Sequence, residues 1–339
     1  MSETLVGRLF DGPIDVVGDV HGEIRALMVL LWKLGYDRRG NHPQGRRLVF
    51  VGDLGDRGPD SPSVVEWVRD RAHEGKAQAV LGNHDFNALW ASHGGQMKPE
   101  LSWLFDEARP YEHRGKRVPQ ALVRGRKRDE ILDFFASLPV ALERDGELPV
   151  RVVHACWEPG AVERVRAESD VIDLHRRERQ RIDDAIRDGG VSDPLERKLM
   201  HQNHNPVKRL TSGTEGRSAE PILINNEPRW ERRVAWWPEY GERPLCVFGH
   251  YWRTPLPNEG PEYHLFDGVR RNALCGGRAT CIDYSAGKRF KERLQHGFDG
   301  TYRTSLAALR LPEGMLYFDN DDPMPLLGPD GRPALGGAA

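Results

Sequence analysis

The sequence has few of the features that mark secreted, membrane-bound or metal-knuckle proteins. Only four of its 339 residues are cysteines, and none are spaced as C-x-x-C, so buried free thiols are expected rather than a zinc knuckle or a disulfide framework. No apolar run approaches about 18 residues, and residues 1–12 have no apolar core behind a positive start. We therefore expect a soluble cytoplasmic protein with no membrane partner.

Net charge is nearly absent as well. The chain carries 49 Lys and Arg against 51 Asp and Glu, which gives a formal net charge of −2. A sequence-blind nucleic-acid binder needs a basic footprint, which the overall composition does not supply, although a local basic patch stays open. The length suits one large domain or two ordinary ones, and the oligomeric state is left open.

What the sequence does contain is a construction repeated five times, in which a short apolar run stops at metal-capable side chains. Each run predicts a buried strand followed by a turn, and open α/β sheets bind ligands at the carboxyl ends of their strands. We name the six side chains at these ends the strand-end cluster and expect them to lie close together: Asp19, His21, Asp53, Asn83, His154 and His250.

The segments between the first three runs predict a parallel sheet. Apolar residues at three- and four-residue spacing predict a helix over residues 24–34 that ends at Gly35. Ser61 and Pro62 predict the N-cap and first residue of a second helix that runs toward Gly75. The order strand, helix, strand, helix, strand means parallel strands with right-handed crossovers.

The remaining segments predict one domain, residues 1–320, with a cap. Residues 86–145 are expected to be mostly helical, and residues 157–243 to form a helical and irregular insertion that caps the site. Antiparallel strands of a second sheet layer are expected between residues 280 and 319, and a flexible tail over 321–339. The cap's aromatic cluster either lines a substrate cleft or attaches the cap to the core: Trp230, Trp236, Trp237 and Tyr240.

The strand-end cluster combines carboxylate, amide and imidazole groups, which suit Mn, Fe, Zn or Co better than calcium. Six ligands are too many for one tetrahedral ion, whereas a carboxylate can bridge two ions about 3.5 to 4 Å apart, so Asp53 is predicted to be shared. Two divalent ions would favour a phosphate dianion and lower the pKa of a bound water toward about 7, which supplies a nucleophile.

Two further groups complete this chemistry. Arg57 is predicted to contact the phosphate oxygens through its forked donors. His84 is predicted to protonate the leaving oxygen, with Asp56 or Asp85 orienting it. Each motif alone has an ordinary explanation as a surface turn or a satisfied core histidine, but the five together favour a dinuclear metal site.

Taken in order, the motifs resemble the signature of calcineurin-like metallophosphoesterases, in particular prokaryotic members of the phosphoprotein phosphatase branch. They read Gly18-Asp19-Val20-His21-Gly22, Gly52-Asp53-Leu54-Gly55-Asp56-Arg57-Gly58, Gly82-Asn83-His84-Asp85, His154 and Gly249-His250. The resemblance implies a four-layer α/β/β/α sandwich. It also implies one metal on Asp19, His21 and Asp53 and the other on Asp53, Asn83, His154 and His250.

The same resemblance assigns His84 as general acid paired to Asp56, and makes Arg57, Asn83 and His84 the substrate contacts. The sequence departs from the family where it reads His154-Ala155-Cys156-Trp157. It also lacks a clear match for the second phosphate-binding arginine of the protein phosphatases. The candidates by position are Arg229, Arg232 and Arg233.

The combined interpretation is a phosphatase with two divalent ions, predicted to be Mn²⁺, with iron, zinc or cobalt as alternatives. The expected substrate is phosphoprotein Ser/Thr, or Tyr, or another phosphomonoester, attacked directly by metal-bound hydroxide. The alternative is hydrolysis of a nucleotide phosphoanhydride, such as a dinucleoside tetraphosphate, or of a phosphate at a nucleic-acid end. A non-catalytic metal-binding module is least favoured, because every predicted ligand and catalytic group is present.

Overall fold

The computed structural model describes residues 4–105, 109–224, 227–257, 259–260 and 264–335. Within them the strands are β1 (Val6–Arg8), β2 (Ile14–Val17), β3 (Arg47–Phe50), β4 (Ala77–Ala79), β5 (Glu112–His113), β6 (Lys116–Arg117), β7 (Ala141–Arg144), β8 (Val150–Val153), β9 (Glu215–Ile224), β10 (Glu227–Arg233), β11 (Leu245–Phe248), β12 (Ala279–Cys281), β13 (Ala307–Leu311), β14 (Met315–Phe318) and β15 (Met324–Pro325). The α-helices are α1 (Ile24–Leu34), α2 (Ser61–His73), α3 (Asn83–Ser92), α4 (Arg126–Ala136), α5 (Pro159–Arg166), α6 (Val171–Asp188), α7 (Pro194–His204), α8 (Pro206–Ser212) and α9 (Arg289–Arg293).

The first sheet has the strand order β15-β14-β13-β2-β3-β4. Strands β2, β3 and β4 are parallel, as the sequence predicts. The expectation of a separate antiparallel layer between residues 280 and 319 was wrong. Strand β13 instead pairs antiparallel with β2, with Leu309 opposite Val16, so the C-terminal hairpin extends the first sheet.

The second sheet has the order β1-β7-β8-β11-β12. Strands β8, β11 and β12 are parallel to one another, so His154 and His250 leave β8 and β11 at the same edge. The two sheets pack face to face, because Val16 and Val49 of the first share one fully buried cluster with Val152 and Val247 of the second.

Helices cover the outer faces and complete the α/β/β/α sandwich. Helices α1 and α2 pack beside the first sheet, and α5 and α8 beside the second. Helix α1 ends at Gly35, whose φ of 90° is the left-handed conformation that favours glycine. Helix α2 differs from its prediction by one residue. Its N-cap is Asp60, which accepts a hydrogen bond from the Ser63 amide, and Ser61 lies within the first turn.

The segments between the motifs are less regular than expected. Residues 86–145 are helical only in part, because a short 3₁₀ helix (Pro99–Trp103) and the β5–β6 hairpin separate α3 from α4. Residues 157–243, predicted to be helical and irregular, contain α5 to α8 and the β9–β10 hairpin.

Most of the cap's aromatic cluster packs against the core. Trp237 is buried and stacks on Phe248, with ring centroids 5.2 Å apart. The Trp236 indole donates a hydrogen bond to the Ala155 carbonyl (2.8 Å). Trp230 is 47% exposed. The attachment interpretation therefore describes the cluster better than the cleft interpretation.

The C-terminal residues also pack, contrary to the expected flexible tail. Strand β15 pairs with β14 and the Leu326 side chain is fully buried, while residues 336–339 lie outside the described ranges. All four cysteines are buried free thiols, as predicted. In the part of the chain that the structure describes, every helix is too short or too polar to cross a membrane.

Candidate metal centre

The structure brings the strand-end cluster together where the two sheets meet. Asp53 lies in the middle, with its Oδ2 atom 3.4 Å from Nε2 of His21 and 3.4 Å from Nε2 of His154. The first histidine follows the first sheet and the second follows the other sheet. One carboxylate oxygen therefore faces two imidazole groups that come from opposite sheets.

The other three members of the cluster join this arrangement. Nδ1 of His250 donates a hydrogen bond to Oδ1 of Asn83 (2.8 Å), which also lies 3.1 Å from Nε2 of His154. The backbone amide of His250 donates to the Asp19 carboxylate (3.1 Å). Asn83 is half-buried, and the other side chains of the cluster are buried. The polar atoms of the buried side chains therefore have little access to bulk water.

The outer nitrogens of two histidines fix how the rings face Asp53. Nδ1 of His21 donates to the Gly55 carbonyl (2.9 Å), and Nδ1 of His154 donates to the Val51 carbonyl (2.7 Å). A carbonyl oxygen can only accept a hydrogen bond, so Nδ1 is protonated in both rings. Nε2 is the atom of each ring that faces the Asp53 carboxylate. Two electron-rich atoms face each other stably only with a cation between them, either a proton or a metal ion. The donor set and its outer hydrogen bonds therefore fit divalent metals.

The charges in the site are strongly coupled. Burial raises the pKa of Asp53, but the neighbouring His154 and His84 outweigh this and hold it well below its usual value. Burial lowers the pKa of His154, whereas the Asp53 and Asp19 carboxylates raise it to about 10 overall. His154 thus holds a proton beside Asp53. Metal ligands must be deprotonated, so a metal ion bound here competes with that proton.

The loops that carry these residues adopt uncommon backbone conformations. Five site residues other than glycine have positive φ angles, between 45° and 70°: His21, Asp53, Asp56, Arg57 and His250. Such conformations cost energy and cluster at functional sites. Gly249, which precedes His250, has no room for a side chain, since a Cβ atom on it would lie 2.0 Å from the Asp19 carboxylate.

His84 and Arg57 lie beside the cluster. Nδ1 of His84 donates to Oδ2 of Asp56 (2.6 Å), and the indole of Trp103 donates to the other oxygen of that carboxylate. The Arg57 guanidinium donates to Nε2 of His84 (2.7 Å) and to Nε2 of His21 (3.0 Å). Asp56, and not Asp85, is therefore the carboxylate that orients His84.

Asp85 instead binds backbone amides, a role that the sequence motifs did not predict. Its carboxylate accepts hydrogen bonds from the backbone amides of Gly82 (3.0 Å), Asp53 (2.9 Å) and Leu54 (3.1 Å). These hydrogen bonds connect the turn after β3, which contains Asp53 and Leu54, to Gly82 at the start of α3. An acidic residue at the third position of a helix that accepts a hydrogen bond from the N-cap amide is one half of a capping box, and this half is the sequence feature that identifies Asp85. The other half is missing because the N-cap residue, Gly82, has no side chain.

A strongly basic cleft opens in front of the centre. Its volume is about 480 Å³, and nine Arg and Lys residues line it against three Glu. We name these nine the basic cleft: Arg57, Lys98, Lys198, Lys208, Arg229, Arg232, Arg233, Lys288 and Lys291. Its aromatic residues are Tyr111, Trp252 and Phe290, none of which belongs to the cap's aromatic cluster. The local basic patch that composition left open is therefore present.

Among the candidates for a second phosphate-binding arginine, Arg233 lies nearest the centre. Its side chain donates to the backbone carbonyl of His250 (2.8 Å), and its guanidinium lies 4.2 Å from the Trp252 ring centre. Arg229 also lines the cleft but pairs with Glu231 (2.6 Å).

Comparisons with known proteins identify the family of this chain. The model of the calcineurin-like phosphoesterase family matches residues 12–253. The asymmetrical bis(5'-nucleosyl)-tetraphosphatase PrpE of Anoxybacillus flavithermus is 47% identical over 73 residues, which are 21% of this chain and 30% of that protein. The symmetrical bis(5'-nucleosyl)-tetraphosphatase of Marinomonas sp. is 30% identical over 148 residues, 42% of this chain and 45% of that protein. The chain therefore matches less than half the length of these relatives.

Among solved structures, a cold-active protein-tyrosine phosphatase from a psychrophilic Shewanella species is similar in fold. The two are 15% identical with a TM-score of 0.46, over 96% of this chain and 82% of that one.

Proposed function

Because this chain belongs to the calcineurin-like phosphoesterases, and is thus a phosphoester hydrolase, we propose that its preferred substrate is a nucleotide with several linked phosphates. The observation that carries this proposal is the basic cleft, with nine cationic side chains against three acidic ones. A phosphomonoester brings about two negative charges, which Arg57 and two metal ions would already balance. A polyphosphate brings more charge and reaches further along the cleft.

The strand-end cluster would hold the two divalent ions, with Mn²⁺ as the predicted species. Asp53 would be shared between them, with Asp19 and His21 on one side. Asn83, His154 and His250 would lie on the other side. The equal 3.4 Å distances from Asp53 to His21 and His154 support this division. Bound there, the ions would lower the pKa of a water molecule and balance phosphate charge.

The chain's own groups would do the rest. Arg57 presents a planar fork that matches two phosphate oxygens, and it lines the cleft beside His84 and Asn83. His84 is held by Asp56 through Nδ1, and its Nε2 accepts a hydrogen bond from Arg57 in this structure. In the acid role Arg57 would turn to the phosphate oxygens, and Nε2 would take up a proton and hand it to the leaving oxygen. These three side chains are the proposed substrate contacts.

The cap, for which we propose residues 157–243, would select the substrate. It supplies five of the nine cations of the basic cleft: Lys198, Lys208, Arg229, Arg232 and Arg233. The cleft's aromatic residues offer faces for a base. The relatives named bis(5'-nucleosyl)-tetraphosphatase favour the same substrate class.

The test compares kcat/KM in Mn²⁺ for a dinucleoside tetraphosphate with that for phosphoserine, phosphothreonine and phosphotyrosine peptides. We expect the tetraphosphate to exceed every peptide by about tenfold or more, which corresponds to about 1.4 kcal/mol. Higher values for any peptide would reject the proposal and support the phosphoprotein substrate that the motifs alone favour. A His84→Asn variant, purified in parallel, reports contaminating phosphatase.

A further inference from the structure

Two lysines of the basic cleft differ from the others. Lys98 and Lys208 have no carboxylate within ion-pair distance among the described residues, whereas Lys198 pairs with Glu231. Both also line a second cavity of about 590 Å³ that adjoins the cleft. Both side chains therefore border the space that the two cavities share. The Glu215 carboxylate also borders it, but among the described residues it pairs with Arg229 and forms an ion pair with neither lysine.

Both lysines are held in a fixed relation to the metal centre. Lys208 lies in α8, where the carbonyl of Leu210 accepts a hydrogen bond from the amide of Ala155 (3.0 Å), the residue after His154. Lys98 directly precedes the 3₁₀ helix that carries Trp103, which donates to Asp56. Their positions follow from the segments that also build the centre.

The electrostatic environment is unfavourable for both ammonium groups in the free protein. Burial is the main cause that lowers the pKa of Lys208, to about 8, and the charge of Lys98 is the next. Burial also lowers the pKa of Lys98 and outweighs the attraction of the Glu100 and Asp56 carboxylates, while Arg57 and Arg229 add repulsion. An anion placed between such groups relieves the repulsion, which is why uncompensated cations mark binding sites.

We propose that Lys98 and Lys208 form a distal subsite that binds a phosphate group remote from the one that reacts at the metal centre. Six residues line both the cleft and the second cavity, three of them lysines and one acidic: Gln96, Lys98, Lys198, Gln202, Lys208 and Glu215. A chain of phosphates that begins at Arg57 therefore extends toward the distal subsite. This inference deepens the proposed function, since it names the residues that would distinguish a polyphosphate from a single phosphate.

The test measures dissociation constants of inorganic tripolyphosphate and orthophosphate for the Mn²⁺-loaded protein by isothermal titration calorimetry. Both solutions contain the same Mn²⁺ concentration, so chelation is equal for all variants. Lys98→Met and Lys208→Met should each lower the preference for tripolyphosphate over orthophosphate by about tenfold, as expected for one charge-assisted contact. Lys98→Arg and Lys208→Arg should keep the preference. Lys98→Gln and Lys208→Gln replace any methionine variant that does not fold.

Lys127→Met is the control. Lys127 lines neither cavity and its ammonium group is paired with Glu66 (2.8 Å), so the preference should change less than about twofold. Equal losses for both anions in the Lys98 and Lys208 variants, or no loss for tripolyphosphate, would overturn the distal subsite. All proteins in this test also carry His84→Asn, which removes the proposed general acid, so that binding is measured without turnover. The distal subsite can therefore stand even if dinucleoside polyphosphates prove not to be substrates, and the proposed function can stand if the distal subsite fails.

Discussion

Replacing Asp85 with asparagine should weaken metal binding, although Asp85 is not a predicted ligand. One carboxylate oxygen accepts the amides of Asp53 (2.9 Å) and Gly82 (3.0 Å), and the other accepts the amide of Leu54 (3.1 Å). Asparagine has a single oxygen. If that oxygen keeps the first two contacts, its NH₂ group faces the Leu54 N–H, and two donors oppose each other in a fully buried position.

The size of the effect follows from these contacts. A hydrogen bond to a charged acceptor contributes about 1.5 to 3 kcal/mol, so the free energy of unfolding should fall by about that amount. The turn that loses the contact carries Asp53, the proposed shared ligand. Loss of an outer partner of a ligand typically reduces metal affinity about 10- to 100-fold. The Mn²⁺ concentration for half-maximal activity should rise by the same factor.

The assay titrates Mn²⁺ against hydrolysis of an aryl phosphate and uses urea unfolding for stability. Asp60→Asn is the matched control, because Asp60 caps α2 through the Ser63 amide (3.1 Å) and asparagine caps helices about as well. Its Mn²⁺ midpoint should not move. A folded Asp85→Asn protein with the wild-type Mn²⁺ midpoint would show that other contacts hold Asp53, and would refute the reasoning.

Three further predictions use other parts of the molecule. His84→Ala should reduce kcat more on alkyl than on aryl phosphates, because a good leaving group needs less protonation; equal losses would remove His84 from the acid role. Asp53→Asn should abolish binding of both ions, measured as bound metal per chain, and retention of two would disprove the shared ligand. Burial, then the charge of Lys208, lowers the pKa of His175 from 6.5 to about 4. The unfolded chain therefore takes up this proton first as the pH falls, and the folded protein should lose up to about 3 kcal/mol between pH 6.5 and 4. In urea unfolding, His175→Gln should lack this loss, and an unchanged pH slope would contradict it.

The positions of the site residues could be predicted because each depends on local chemistry. An apolar run followed by a glycine turn determines that a strand ends and that the next polar side chain leaves the sheet at its edge. Asp19, Asp53 and His154 satisfy this pattern within a few residues each, and the structure brings them together. Helix α1 could be predicted for the same reason, because its apolar spacing and final glycine are also local features.

Strand partners could not be predicted in the same way, because paired strands can lie far apart in the sequence. The pattern of residues 307–311 indicates a strand, but it contains nothing that selects β2, almost 300 residues earlier, over another sheet edge. The cap's aromatic cluster poses the same difficulty. Trp237 and Trp230 are the same residue type seven positions apart, yet one is buried and the other is half exposed, which only the tertiary packing decides.

The net charge of −2 shows that a chain with balanced overall charge can still contain a strongly basic cleft. The nine cations of the basic cleft are spread from Arg57 to Lys291, and only two groups of them lie close together in the sequence: Arg229, Arg232 and Arg233, and Lys288 and Lys291. The fold brings all nine to one side of the strand-end cluster, where three Glu side chains line the cleft with them. In the proposed function the strand ends supply the metal ligands, and residues 157–243 supply five of the nine cations proposed to select the substrate. Substitutions in the cap should consequently alter the ratio of substrates that the protein accepts while its metal affinity stays unchanged.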